Sequence, residues 1–125
     1  MHGGAPVLVV DDDPMIRSSI SDILHLQGYP VATASNGAEA LALVEQSIPS
    51  LVLLDMRMPV LDGWGFAGAL SQRRIEVPIV VVTAAQDAED WAREVAAEGF
   101  LAKPFELTDL LEVVERHRAE GRPGN

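Results

Sequence analysis

Residues 6–12 read Pro-Val-Leu-Val-Val-Asp-Asp, a short apolar run that ends in two carboxylates. Two further runs of the same kind follow, with 51–54 preceding Asp55 and 79–82 preceding Thr83. Runs of four or five Val, Ile and Leu residues are typical of strands buried on both faces, as in the parallel sheets of α/β proteins. Because ligands bind such sheets at the carboxyl ends of the strands, we expect these polar side chains to meet at one edge.

Five strand-like runs alternate with five helix-like segments along the chain. The strand-like runs are 6–10, 30–34, 51–54, 78–82 and 99–102, and the helix-like segments are about 14–27, 37–47, 63–73, 88–97 and 106–118. This alternation predicts one α/β domain, a doubly wound (βα)5 arrangement with helices on both faces of a parallel sheet. We assign 6–118 to the domain, 1–5 to a disordered or vector-derived N-terminus and 119–125 to a flexible tail.

Cap residues predict where several of the helices begin and end. Asp13 is suited to cap the first helix, with Pro14 at its first position, and Gly28 to end it in the left-handed conformation. Asp87 and Asp90 have the spacing of a capping box and predict the start of the fourth helix at about residue 88.

Composition narrows the classes of function. The 125 residues include 9 Lys and Arg against 19 Asp and Glu, a formal charge of −10, which argues against a surface that binds nucleic acid directly. Cysteine is absent, so a disulfide framework or a thiolate metal site is excluded. The longest apolar runs fall far short of the roughly 20 residues of a membrane span, and no signal-peptide core follows Met1. We therefore predict a cytoplasmic protein that makes no contact with a membrane.

Five motifs carry a resemblance to a known family. They are Val-Val-Asp-Asp-Asp-Pro-Met-Ile-Arg at 9–17, Leu-Leu-Asp-Met-Arg-Met-Pro at 53–59, Leu-Asp-Gly at 61–63, Val-Val-Thr-Ala at 81–84 and Lys-Pro-Phe at 103–105. In this order and at these intervals they resemble the successive signatures of a response regulator receiver domain of two-component signalling. The resemblance runs from about residue 6 to residue 118. It implies a flavodoxin-like, chemotaxis-regulator-like fold whose five parallel strands have the order 2-1-3-4-5.

The acidic residues predict a magnesium site. Mg²⁺ prefers six oxygen ligands in a near-octahedral arrangement and keeps several waters, so a few carboxylates beside a phosphate suit it. We expect Asp12 and Asp55 to be direct ligands and Asp11 to act through bound water, with Mn²⁺ or Ca²⁺ as substitutes. The resemblance adds the backbone carbonyl of Arg57 as a further ligand. Asp13 is assigned to helix capping instead.

Asp55 is the candidate nucleophile, because it lies at the end of the central strand where the other groups converge. Carboxylates are recognised nucleophiles toward phosphoryl groups. Lys103 supplies positive charge and the Thr83 hydroxyl a hydrogen bond to a transferred oxygen. The resemblance implies that the donor is a phosphohistidine on a sensor histidine kinase or a histidine phosphotransfer protein. The chain would then be a phosphoacceptor that at most catalyses its own phosphorylation and dephosphorylation, and not an enzyme acting on other substrates.

The resemblance also implies a switch. Thr83 would move toward the phosphoryl group, and the aromatic residue at position 100 would turn inward behind it, changing a partner surface on the last helix, strand and helix. Because Phe100 lacks a hydroxyl and is less costly to bury than tyrosine, we expect it to lean inward even without phosphate. The downstream target stays unidentified, and a phosphorylation-dependent dimer is left open. The resemblance further implies a cis bond between Lys103 and Pro104.

Two positions beside the site depart from the more polar residues common in the family. Arg57 is two residues after Asp55, and Ala85 is two residues after Thr83. Arg57 could reach the phosphoryl group and shield it, whereas Ala85 offers no polar group to position an attacking water. Together they predict a long-lived aspartyl phosphate.

Two other functions stay open at this point. A receiver-like scaffold would bind partners without phosphorylation, although such domains usually lose a site residue and none is missing here. A haloacid-dehalogenase-type phosphatase would use Asp11 as nucleophile and Asp13 as acid, but the chain is short for the usual cap domain and Asp-Asp-Asp-Pro lacks the Thr or Val expected there.

Overall fold

The structure is a computed structural model that describes residues 4–119. Five strands alternate with five helices along these residues. The strands are β1 (Val7–Val10), β2 (Val31–Ala34), β3 (Leu51–Leu54), β4 (Ile79–Ala84) and β5 (Gly99–Lys103). The helices are α1 (Pro14–Leu26), α2 (Gly37–Gln46), α3 (Gly63–Gln72), α4 (Ala85–Glu94) and α5 (Leu107–His117). The predicted α/β alternation is confirmed.

The strands form one parallel sheet of order β2-β1-β3-β4-β5, which confirms the predicted doubly wound fold. In the register between β1 and β3, Val10 lies opposite Leu54. The next residue continues this pairing, since the backbone N–H of Asp55 donates to the carbonyl of Val10 at 2.9 Å. Asp11 and Asp55 therefore leave the sheet side by side at the same edge.

Side chains of the central strands alternate between two apolar layers, one on each face of the sheet. Alternate residues of each strand share a face because side chains repeat with a period of two. One layer packs against α2, α3 and part of α4, and includes Leu8, Val10, Val52, Leu54, Val81 and Phe66. The other packs against α1 and α5, and includes Val9, Leu53, Val80, Val82, Leu24 and Leu110. Each fully buried large side chain contributes about 1.5–3 kcal/mol, so both layers hold the sheet firmly.

The start of α4 differs from the prediction. The cap of α1 is confirmed, because the Asp13 carboxylate accepts the N–H of Met15 at 2.9 Å, and Gly28 follows the helix with φ 87°. The capping box at Asp87 is wrong. β4 continues to Ala84 and α4 begins at the next residue without a loop, so Asp87 already lies in the first turn. Ala84 occupies the cap position and makes no side-chain cap bond.

The C-termini of α1, α3 and α4 share one geometry. In each, the residue two after the helix has positive φ, and the next N–H bonds back to a carbonyl of the last turn. The three residues are Gly28 (φ 87°), Arg74 (φ 57°) and Ala96 (φ 54°). The back-bonded pairs are Tyr29 N–H with Leu24 O, Ile75 N–H with Leu70 O and Ala97 N–H with Ala92 O. Two of these positions carry a side chain where glycine is preferred.

The opposite edge of the sheet, where the strands begin, is joined to the C-terminal end of α5. The Tyr29 hydroxyl donates to the Glu115 carboxylate, and the Arg118 guanidinium lies 5.3 Å from the centre of the Tyr29 ring. The backbone N–H of Ala119 donates to the carbonyl of Ser50 at 2.9 Å. Of the predicted termini, 1–3 and 120–125 lie outside the described residues. Within residues 4–119, no helix has the length and apolar character to cross a membrane.

Replacement of Ala96 by glycine is expected to stabilise the protein. A non-glycine residue in the left-handed region is strained, and glycine removes the strain at the cost of a more flexible unfolded chain. We expect Ala96→Gly to raise the free energy of unfolding by about 0.5–1 kcal/mol in urea denaturation. The matched control is Ala42→Gly, an exposed alanine inside α2, which should lower it by about 1 kcal/mol. Equal destabilisation by both variants would contradict the assigned geometry.

Candidate functional site

Three carboxylates meet at the carboxyl edge of the sheet. Asp11 and Asp12 follow β1, and Asp55 follows β3. Each offers one oxygen, and these oxygens lie within 4.8 Å of one another. Asp11 is buried, Asp55 is partly buried and Asp12 is exposed, so one side of the cluster is open to water. Hard oxygen donors with room for waters fit Mg²⁺, and the three residues are those that the sequence predicted.

Lys103 reaches the same cluster from β5. Its Nζ lies 3.3 Å from Oδ2 of Asp11, and both side chains are shielded from solvent over most of their surface. The Lys103–Pro104 bond is cis, as the resemblance implied. Thr83 lies one residue before the end of β4, the strand between β3 and β5, and is only 7% exposed. The five residues of the predicted site thus share the carboxyl edge of the sheet. They are Asp11, Asp12, Asp55, Thr83 and Lys103.

Burial, together with the neighbouring acids, raises the pKa of Asp55 from 3.8 to about 6. The largest cause is burial, which penalises the charged form, and the negative charge of Asp11 adds to it. The Lys103 ammonium opposes both effects, and Asp12 contributes a smaller rise. One ammonium therefore does not balance the three carboxylates, and the cluster favours the arrival of a further cation.

Gly63 shapes the loop between β3 and α3, a role that the sequence alone does not predict. Its N–H donates to the carbonyl of Met56 at 2.9 Å. A Cβ at this position would lie 2.5 Å from the sulfur of Met56 and 3.1 Å from the carbonyl oxygen of Asp55. The first turn of α3 can pack against the backbone of Asp55 only because position 63 has no side chain. The Leu-Asp-Gly motif marks this position in the sequence. The reason for the glycine is the tertiary contact with Met56 and Asp55, which the motif alone does not show.

Arg57 points toward α4. Its side chain is exposed, and the guanidinium carbon lies 5.0 Å from the centre of the Trp91 ring. This is the geometry of a cation–π contact. The predicted shielding of a phosphoryl group would need a different rotamer of this side chain. Ala85, the other unusual position, is exposed at the first residue of α4.

Phe100 does not lean inward. It is 44% exposed on β5, at the edge of the sheet, so the expected inward rotamer is wrong for this structure. The missing hydroxyl lowers the cost of burying the ring but creates no space for it. The neighbouring interior position is filled, since Val81, the register partner of Phe100 on β4, is fully buried. A close-packed interior accepts an extra ring only when another group moves.

Comparisons with known proteins agree with this arrangement. The family model described as the response regulator receiver domain matches residues 7–115. The transcriptional regulatory protein PrrA of Mycobacterium bovis is 41% identical over 107 residues, which cover 84% of this chain and 46% of PrrA. The transcriptional regulatory protein PdtaR of Mycobacterium tuberculosis is 38% identical over 112 residues, which cover 87% of this chain and 54% of PdtaR. The chain thus spans about half the length of these curated relatives.

Solved structures are similar over nearly the whole chain. The chemotaxis protein CheY4 of Vibrio cholerae has a TM-score of 0.80 at 35% identity, covering 91% of this chain and 98% of CheY4. The receiver domain of NtrX from Brucella abortus has a TM-score of 0.80 at 32% identity, covering 88% of this chain and 95% of that domain.

Neutralising Asp55 is expected to stabilise the metal-free protein in a pH-dependent way. A folded-state pKa of about 6 against 3.8 means that the folded protein holds this proton more tightly, so wild-type stability falls as pH rises through this window. With an allowance for solvent screening, the stability of Asp55→Asn relative to wild type should increase by about 1–2 kcal/mol from pH 4 to pH 7. Urea denaturation in EDTA measures this difference.

The control for this pH series is Asp22→Asn, an exposed residue of α1 away from the cluster. Its stability relative to wild type should stay within about 0.5 kcal/mol over the same range. A flat difference for Asp55→Asn would show that the acidic cluster imposes no strain on the fold.

Proposed function

This chain belongs to the response regulator receiver domain family, and on that premise we propose that Asp55 accepts a phosphoryl group from a phosphohistidine of a partner protein. One observation carries the proposal: three carboxylates with oxygens within 4.8 Å of one another share the sheet edge with the Lys103 ammonium, 3.3 Å from Asp11. Acidic ligands for a cation and one fixed positive charge suit the transfer of a phosphoryl group.

In the proposed reaction a carboxylate oxygen of Asp55 attacks phosphorus. The phosphorus–nitrogen bond of the phosphohistidine breaks, the imidazole takes up a proton, and an aspartyl phosphate forms. Lys103 and the Thr83 hydroxyl bind oxygens of the transferred group. Mg²⁺, with Mn²⁺ or Ca²⁺ as substitutes, would be held by Asp11, Asp12, Asp55 and the backbone carbonyl of Arg57, and when bound supplies charge neutralisation. These carboxylates and the ammonium are already in place before any donor arrives.

The proposed role is that of a signalling switch. The donor is a sensor histidine kinase or a histidine phosphotransfer protein, and the aspartyl phosphate alters binding to a downstream target through Thr83 and Phe100. Any chemistry is limited to formation and hydrolysis of the acyl phosphate on Asp55. A phosphorylation-dependent dimer is compatible with this role, and the cytoplasmic location stays a prediction from the sequence.

The phosphatase alternative gains no support from the described residues. It needs Asp13 as a general acid facing the substrate. The Asp13 carboxylate instead accepts the N–H groups of Met15 and Ile16 at the start of α1. Asp11, its proposed nucleophile, is engaged by Lys103.

Phosphorylation by a small acyl phosphate tests the chemistry without a kinase. With acetyl phosphate and Mg²⁺, intact-protein mass spectrometry should show one added phosphoryl group, and peptide mapping should locate it on Asp55. Asp55→Asn and wild type in EDTA should show none, whereas the Asp22→Asn control should react like wild type. An adduct on Asp11 would support the phosphatase, and no adduct at all would support the scaffold.

A protein donor also needs a docking surface beside the site. An apolar depression of about 450 Å³ lies against Lys103, between the start of α1 and the segment after β5. Its lining residues are Met15, Ile16, Ser19, Lys103, Pro104 and Phe105. Met15 is 78% exposed, and together with Ile16 and Phe105 it gives the depression an apolar lining. We place the phosphohistidine-bearing domain here, because the depression adjoins the ammonium that the phosphoryl group must reach.

Met15→Asp is expected to separate docking from chemistry. Its reaction with acetyl phosphate should stay within about twofold of wild type, while transfer from a histidine kinase that phosphorylates the wild type should slow by roughly tenfold. The matched control is Leu26→Asp, which alters an 84% exposed residue at the other end of α1. Equal transfer rates for Met15→Asp and Leu26→Asp would show that the donor does not dock at the depression beside Lys103.

A further inference from the structure

Arg57 and the two tryptophans form a stack beside the phosphoryl site. The guanidinium of Arg57 lies 5.0 Å from the centre of the Trp91 ring. Trp91 meets Trp64 edge to face, with ring centres 5.0 Å apart and planes at 69°. The Trp64 indole N–H donates to the Glu94 carboxylate at 2.8 Å. This Arg57–tryptophan stack joins the loop after Asp55 to α4 and α3.

The guanidinium of Arg57 has hydrogen-bonding capacity to spare. Among residues 4–119 it takes part in no hydrogen bond or ion pair, and its contact is the face of Trp91. Its planar fork of N–H donors suits bidentate binding to a phosphoryl group. Because Asp55 is two residues away, the two Cα atoms are at most about 7 Å apart, within the reach of an arginine side chain.

Helix α4 is held to the domain by small side chains. Its buried residues are Ala88 and Ala92, and its N-terminus has no side-chain cap. Its arginine, Arg93, pairs within the helix, with Glu89 and Asp90. Trp91, which is half-buried, is thus the largest side chain by which α4 packs against its neighbours. An element with little buried apolar area is one that moves at low cost.

We propose that Trp91 is a positioning residue that holds Arg57 off the phosphoryl site until Asp55 is phosphorylated. The inference rests on the phosphoacceptor function proposed above. A cation–π contact at an exposed site is weaker than charge-assisted, bidentate hydrogen bonds to a dianionic phosphoryl group. The phosphoryl group therefore captures Arg57, and Trp91 loses the cation that covers one of its faces. The contact that joins α4 to the Asp55 loop opens as a result.

Removal of Trp91 is expected to strengthen the binding of a phosphoryl mimic, whereas removal of a packed side chain near a site normally weakens binding. If Trp91 competes for Arg57, its removal must strengthen the binding of a phosphoryl mimic to Asp55. We expect Trp91→Leu to bind beryllofluoride with Mg²⁺ about two- to fivefold more tightly than wild type, and Arg57→Gln to bind it more weakly. In the Arg57→Gln background, Trp91→Leu should change nothing, since the competition has gone. Titration followed by the ¹⁹F resonance of the bound mimic gives the three affinities.

The indole resonances provide a second readout. The chain has only two tryptophans, so its indole N–H spectrum contains two signals, which Trp64→Phe assigns. Adding beryllofluoride and Mg²⁺ should shift the Trp91 signal in wild type. In Arg57→Gln the Trp91 signal should start near the shifted position and move little. An equal shift with and without Arg57 would overturn the proposal.

The outcomes separate this inference from the function on which it rests. If neither wild type nor Asp55→Asn shows a ¹⁹F signal of bound beryllofluoride, the phosphoacceptor function is refuted. A bound mimic with unchanged or weaker affinity in Trp91→Leu would refute only the role of Trp91. Loss of packing is controlled by Trp91→Phe, which keeps a ring with a weaker cation–π contact and should lie between wild type and Trp91→Leu. Arg57→Gln changes an exposed side chain and is expected to fold.

Discussion

The register between β1 and β3 brings the carboxylates of Asp11 and Asp55 to one edge of the sheet. The charge balance of the site follows from this proximity. The backbone pairing that continues from Val10 to Asp55 holds Asp11 and Asp55 at neighbouring positions of that edge. Burial and mutual repulsion raise the pKa of Asp55, and Lys103 offsets only part of the cost. The fold thus builds a local excess of negative charge into the carboxyl edge of its sheet, where a cation or a charged donor group can relieve it.

The two faces of the sheet contribute differently to this arrangement. The apolar layers under α1 and α5 and under α2 and α3 are closely packed and fix the strands. Helix α4 buries small residues, and it contacts the loop after Asp55 through the Arg57–tryptophan stack. A domain of this design has a closely packed sheet under the proposed phosphoryl site and, beside it, a helix that buries mainly small side chains. That division suits a protein whose chemistry must be reproducible while its surface changes.

The sequence predicted the elements that depend on local patterns and missed those that depend on tertiary contacts. Four-residue apolar runs marked β1 and β3, and Asp13 was recognisable as a cap because Pro14 follows it. The start of α4 was placed three residues late, because Ala84 and Ala85 carry no signal for a strand that passes directly into a helix. The contact between Arg57 and Trp91 joins residues 34 positions apart, and no local pattern reports it. The outward position of Phe100 depends on packing that composition does not describe.

Because side chains alternate along a strand, a slip of one residue between β1 and β3 would move every side chain of the slipped strand into the opposite apolar layer and disrupt the close packing of both layers. The position of Asp55, the proposed nucleophile, is therefore protected by the same packing energy that holds the protein folded. Sequence change can drift freely only in groups that approach Asp55 from loops and helix ends, such as Arg57 and Ala85. Relatives that share this sheet would then differ in how fast they signal and for how long, while the point of reaction stays in place.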